Sequence, residues 1–152
     1  MEGINSDQIL TVLLVEDNPD HAVIIKRAFL AAYQKAHIEI LNNGQDALNY
    51  IQQQSSALQP GIPVGRPDLI LLDIKLPKMD GYQLAKMLKK SPEYNSIPII
   101  ILTTSARAED RTRMLECGVD GFITKPGHIR DFVKMTNEIK RLLIGIKQEQ
   151  LL

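Results

Sequence analysis

The chain has 152 residues, with 18 basic and 18 acidic side chains and no net charge, so it carries no general attraction for nucleic acid or an anionic membrane. That length suits one domain, and a hydrophobic fraction of 44% is ordinary for a globular protein. The lone Cys117 excludes an internal disulfide framework, and without a signal peptide or an apolar span of about 18 residues the expected location is the cytoplasm.

Residues 1–8 read as a polar leader, 9–147 as the folded domain and 148–152 as a tail. Ile9 to Val15, Ile-Leu-Thr-Val-Leu-Leu-Val, has the pattern of a strand buried on both faces, and it ends on Glu16 and Asp17. Asn18 suits a helix cap and Pro19 its first turn, after which Ala22, Ile25, Phe29 and Ala32 recur at helical spacing. His37 to Leu41 gives a short second strand, Asn42-Asn43-Gly44 a turn, and Ala47, Leu48 and Ile51 the inner face of a second helix. From Gln52 to Pro67 the rhythm breaks, with five Gln and Ser residues and then Pro60, Gly61, Pro63, Gly65 and Pro67, which predicts a long surface insertion.

Leu69 to Leu72 is a third doubly buried strand, and it delivers Asp73 to a short loop that Pro77 and Asp80-Gly81 shape. Leu84, Ala85 and Leu88 mark a third helix, ended by Lys90-Ser91-Pro92. Ile97 to Leu102 is the fourth strand and finishes on Thr103-Thr104-Ser105. The fourth helix, about Ala106 to Cys117, is so charged that only Met114, Leu115 and Cys117 form an apolar edge. Such a helix is weakly anchored and able to shift. Gly118 stops it, Val119 to Thr124 makes the fifth strand, and Lys125-Pro126 follows. The last helix, about His128 to Lys147, buries Ile129, Phe132, Val133, Thr136, Ile139, Leu143 and Ile146. Leu142, Ile144, Leu151 and Leu152 exceed what one face needs, which points to a symmetric homodimer.

Strands alternating with helices demand an α/β fold: a five-stranded parallel sheet, doubly wound, with a long insertion before the third strand and an extended last helix. Four strand ends then bring Glu16-Asp17, Asp73, Thr103 and Lys125 to one rim, where ligands of open α/β sheets collect. Each residue has a plainer reading: Asp73 as a turn former, Glu16 and Asp17 as helix-start acids, Thr103 as a β-branched strand residue and Lys125 as a solvated charge. Together they allow more. Three crowded carboxylates repel unless a small hard cation with oxygen ligands is present, and Mg²⁺ tolerates such a set. Beside it, Lys125 and the Thr103 hydroxyl suit the oxygens of a phosphoryl group, with Asp73 as the nucleophile that forms an aspartyl phosphate. His21, His37, His128 and Cys117 show no ligand spacing and read as structural or surface residues.

The motifs Val-Glu-Asp-Asn at 15–18, Leu-Leu-Asp at 71–73, Leu-Pro-Lys-Met-Asp-Gly at 76–81, Leu-Thr-Thr at 102–104 and Lys-Pro at 125–126 resemble those of the receiver domain of two-component response regulators, which has the flavodoxin-like fold. The resemblance covers about residues 9–147. It implies Asp73 as phosphoacceptor, Glu16 and Asp17 as the acidic pair for Mg²⁺, the backbone carbonyl of Lys75 as a further metal ligand, and Thr103 and Lys125 as phosphoryl contacts. Phe122 stands where the family keeps a switch aromatic, and Lys125-Pro126 where it commonly holds a cis bond. With no output domain following, the chain resembles the single-domain regulators, and the insertion and extended last helix resemble those paired with bacterial phytochrome histidine kinases. The implied role is a switch phosphorylated by a sensor histidine kinase, with no enzymatic activity beyond its own phosphotransfer and dephosphorylation. Two rivals remain. A phosphatase with an aspartate nucleophile would want a carboxylate two residues after Asp73, where Lys75 stands; a phosphorylation-independent interaction module would not need the full polar set.

Overall fold

The aliphatic runs become five parallel strands, β1 (Leu10–Val15), β2 (Ala36–Leu41), β3 (Leu69–Leu72), β4 (Ile99–Thr103) and β5 (Gly121–Thr124), in the order β2-β1-β3-β4-β5. A computed structural model describes residues 9–56, 66–104 and 107–150. The polar leader, the centre of the insertion, Ser105 and the terminal Leu151-Leu152 lie outside them. Five α-helices connect or follow the strands: α1 (Pro19–Ala32), α2 (Gly44–Ser56), α3 (Gly81–Lys90), α4 (Ala108–Glu116) and α5 (Phe132–Gln150).

Helices cover both faces, and each face has its own core. On one side Ala22, Ile25 and Phe29 of α1 and Phe132, Met135, Ile139 and Leu143 of α5 pack on Val12, Leu14, Leu71 and Ile100. On the other, Ala47 and Ile51 of α2, Leu84 and Leu88 of α3 and Met114 of α4 pack on Leu13, Val15, Ile70 and Ile101. Alternate residues of one strand serve opposite cores, which is why β3 is aliphatic throughout and β1 and β4 are so but for Thr11 and Thr103. The doubly wound parallel sheet read from the sequence is therefore the observed fold.

Several boundaries differ, for local reasons. Strand β4 starts at Ile99 because Pro98 has no N–H for the ladder, and Ile97 is instead buried in a turn, donating to the Tyr94 carbonyl at 3.0 Å. Helix α2 carries the Gln-Gln-Gln-Ser-Ser run that the sequence assigned to the insertion; its start is fixed by Asn43, whose side chain accepts from the Asp46 N–H at 2.8 Å. A short 3₁₀ turn, Ile129–Asp131, precedes α5, so the helical phase begins at Phe132. The buried stripe is Phe132, Met135, Thr136, Ile139 and Leu143, while Ile129 and Val133, expected inside, are exposed. Leu115 of α4 is exposed as well; Met114 alone anchors that helix in the core. The expected stop of α4 is present, with Gly118 at a positive φ of 80°. No cis peptide bond occurs among the described residues, so Lys125–Pro126 is trans, the form an X–Pro bond favours by about 0.5–1 kcal/mol.

Among the described residues no helix is long and apolar enough to cross a membrane.

Candidate functional site

In the order β2-β1-β3-β4-β5 the chain leaves β1 toward β2 and β3 toward β5, so the switch in direction falls between β1 and β3, where open α/β sheets form their crevice. Val15 pairs with Leu72, and one residue on, the Asp73 N–H donates to the Val15 carbonyl at 3.1 Å. Glu16 and Asp73 therefore emerge side by side. Thr103 pairs with Thr124, and the Lys125 N–H donates to the Thr103 carbonyl at 2.6 Å, which fixes Lys125 on the same rim.

The loop after β3 is closed by the Gly81 N–H donating to the Ile74 carbonyl at 2.8 Å, and a Cβ at Gly81 would overlap the Asp73 carbonyl oxygen. Only glycine lets the start of α3 come this close behind Asp73. Asp80 then caps α3 in a capping box with Gln83. Lys75 lies on this loop with its side chain exposed.

Carboxylate oxygens of Glu16, Asp17 and Asp73 lie within 4.8 Å of one another. The buried Lys125 ammonium forms an ion pair with Glu16 Oε1 and donates to Asp73 Oδ2 at 3.2 Å. One cation does not neutralise three acids. Glu16 Oε2 is buried and no donor reaches it, and burial, reinforced by the neighbouring Asp73 carboxyl and opposed by Lys125, pushes the Glu16 carboxyl up to about 7. A cation beside that oxygen would favour the ionised carboxyl. An all-oxygen donor set with one orphaned buried oxygen fits a small hard divalent ion and does not fit a soft one.

Thr103 is buried at the tip of β4, and Phe122 is half-buried on β5 with the Arg111 guanidinium of α4 at 4.9 Å from its ring centroid. All the residues expected at the rim sit at the tips of strands or, for Phe122, along β5 under α4. One neighbour escaped the sequence reading. His21, assigned there to structure or surface, brings Nδ1 to 3.4 Å from Lys125 Nζ and 3.5 Å from Glu16 Oε1. Its signal was position: three residues after the cap Asn18, it stands in the first turn of α1, beside the end of β1. His37 pairs with Glu39 on the exposed side of β2, and Cys117 is free, its thiol pushed up chiefly by burial.

A family model for the response regulator receiver domain matches residues 12–137. The chain belongs to this family. Among its relatives, the probable methanogenesis regulatory protein FilR2 of Methanothrix harundinacea is 34% identical over 149 residues, covering 94% of this chain and 93% of that protein. Response regulator Rcp1 of Synechocystis is 33% identical over 129 residues, 85% of each chain. The crystal structure of the phosphorylated cyanobacterial phytochrome response regulator RcpA superposes with a TM-score of 0.79 at 27% identity, covering 90% of this chain and 95% of that one. The Mn²⁺-bound form of Rcp1 superposes with a TM-score of 0.75 at 31% identity, over 86% of this chain and 91% of that one. A metal-bound relative accords with the acidic group of this response regulator.

Proposed function

We propose that this response regulator is switched by a phosphoryl group carried on Asp73, delivered by the phosphohistidine of a sensor histidine kinase. The observation that supports this most is the meeting of Glu16, Asp17 and Asp73 within 4.8 Å beside the Lys125 ammonium. An Asp73 oxygen attacks phosphorus, a P–O bond forms, the P–N bond breaks, and its electron pair returns to the imidazole of the donor. Glu16, Asp17, Asp73 and the backbone carbonyl of Lys75 would hold Mg²⁺, which would supply positive charge against the phosphoryl oxygens. Lys125 donates to one of those oxygens and the Thr103 hydroxyl to another.

The new charge draws Thr103 and the loop after it inward, and Phe122 turns into the space vacated. Helix α4 follows, because Met114 is its one buried residue and Arg111 couples it to the Phe122 ring. Full conversion requires about 5.5 kcal/mol of differential stabilisation, within the reach of several charge-assisted hydrogen bonds. The name of RcpA as a phytochrome response regulator favours a phytochrome-type kinase as donor, and the setting is the cytoplasm. The apolar end of α5, with Leu142, Ile144 and Ile146 only partly buried, favours a homodimer through the last helix, which sedimentation of free and phosphorylated protein tests.

Incubation with acetyl phosphate and Mg²⁺ tests the switch: intact mass should rise by one phosphate in the wild type and not in Asp73→Asn. Phosphorylation of the variant at the wild-type rate overturns the assignment.

A further inference from the structure

We propose that His21 is a positioning residue for Lys125, holding the ammonium at the rim through its unprotonated Nδ1. An ammonium has three protons and no lone pair, so it bonds the Nδ1 beside it in the tautomer that carries the ring hydrogen on Nε2. The three protons of Lys125 have three partners: Glu16 Oε1, Asp73 Oδ2 at 3.2 Å and His21 Nδ1 at 3.4 Å. Two are carboxyl oxygens and one is an imidazole nitrogen. The inference rests on the phosphoryl switch proposed above: when Asp73 becomes an acyl phosphate, its oxygen ceases to be a carboxylate partner, and Lys125 must turn to the phosphoryl group without leaving the rim. Glu16 is shared with the metal, so His21 is the partner that neither the reaction nor the ion claims.

The imidazole is itself held from two sides. The main-chain N–H of His21 donates to Asn18 Oδ1 at 3.2 Å, which fixes the backbone that carries the ring, and the ring lies 6.5 Å from that of Phe132 on α5. With 36% of the side chain exposed, the ring stands at the mouth of the site, where its loss would let water replace a fixed acceptor by a mobile one.

The test compares His21→Leu, which keeps bulk against Phe132 and loses the acceptor, with His21→Asn, whose Oδ1 stands near the place of Nδ1. Two measurements are made: the ¹⁵N–¹H signal of the Lys125 ammonium in metal-free, unphosphorylated protein, and the rate of phosphorylation by acetyl phosphate. The ammonium signal should be protected from exchange in the wild type, lost in His21→Leu and regained in His21→Asn. The phosphorylation rate should fall about fivefold in the leucine variant and recover to within about twofold in the asparagine variant, the size of one net hydrogen bond. Equal behaviour of the two variants, whether both normal or both slow, overturns the proposal, as does a wild-type imidazole carrying its hydrogen on Nδ1. Should the wild type take up no phosphate at all, the proposed function fails, while the ammonium signal still decides whether His21 holds Lys125.

Discussion

Glu16 should make Mg²⁺ binding a proton-release reaction. Its carboxyl titrates at about 7 in the metal-free site, chiefly because it is buried, and a divalent ion there favours the ionised form. Binding must expel the proton from the Glu16 carboxyl. From that midpoint, release should be about 0.9 proton per ion at about pH 6, about 0.5 at about pH 7 and nearly zero at about pH 8.5. Apparent affinity should accordingly weaken about tenfold between about pH 8 and about pH 6. Titration calorimetry in two buffers of different ionisation enthalpy counts the protons directly, and Glu16→Gln, which cannot ionise, should bind Mg²⁺ more weakly with no release in this range. Release near zero at about pH 6 in the wild type would refute the reasoning, because it would mean that Glu16 is already ionised without a metal.

The same group sets a pH dependence of stability. Its folded midpoint of about 7 lies above the ordinary 4.5, so the metal-free protein gains stability that is fully present below pH 4.5 and is lost as pH rises through about 7. Urea unfolding should show a fall of a few kcal/mol across that window, and Glu16→Gln should flatten it; a rise in the wild type contradicts the assignment. Gly81→Ala sets a Cβ against the Asp73 carbonyl and should cost about 1–3 kcal/mol in urea unfolding, with slower uptake of phosphate because Asp73 is displaced; a variant as stable and as fast as the wild type refutes the close approach. Tyr82 donates its hydroxyl to Asp110 Oδ1 at 3.2 Å, beneath the Arg113 guanidinium, and burial together with Asp110 pushes that hydroxyl up to about 12, so it stays protonated. Tyr82→Phe should therefore loosen α4 by about 1 kcal/mol, seen as faster amide exchange in α4 with β1 and β3 unchanged; unchanged exchange in α4 would show that Met114 alone holds it.

The sheet was legible because strands that serve two cores cannot hide: Leu69–Leu72 and Ile99–Leu102 have no polar residue to spare. The rim was legible because each of those runs ends on a polar residue, and four such ends have to meet once the strands are parallel. What escaped was decided by local backbone bonding. The 3₁₀ turn before α5 moved the buried stripe past Ile129 and Val133, and no hydropathy pattern registers a change of phase at three residues. The Gln-rich end of α2 stayed helical because glutamine is a good helix former even with no apolar residue to bury. The Asp80–Gln83 capping box was present in the sequence at its usual spacing and would have marked the start of α3. A lone histidine such as His21 carries no pattern at all; only its place in the first turn of α1, beside the end of β1, gives it a role.

The central claim is that Asp73 carries the phosphoryl group. After incubation with acetyl phosphate and Mg²⁺, reduction with borohydride cleaves an aspartyl phosphate to the alcohol, and peptide mass spectrometry then reads which position has become homoserine. The account predicts homoserine at position 73 and nowhere else; a reduced Asp17, or phosphate that survives borohydride on a hydroxyl such as Thr103, would contradict it.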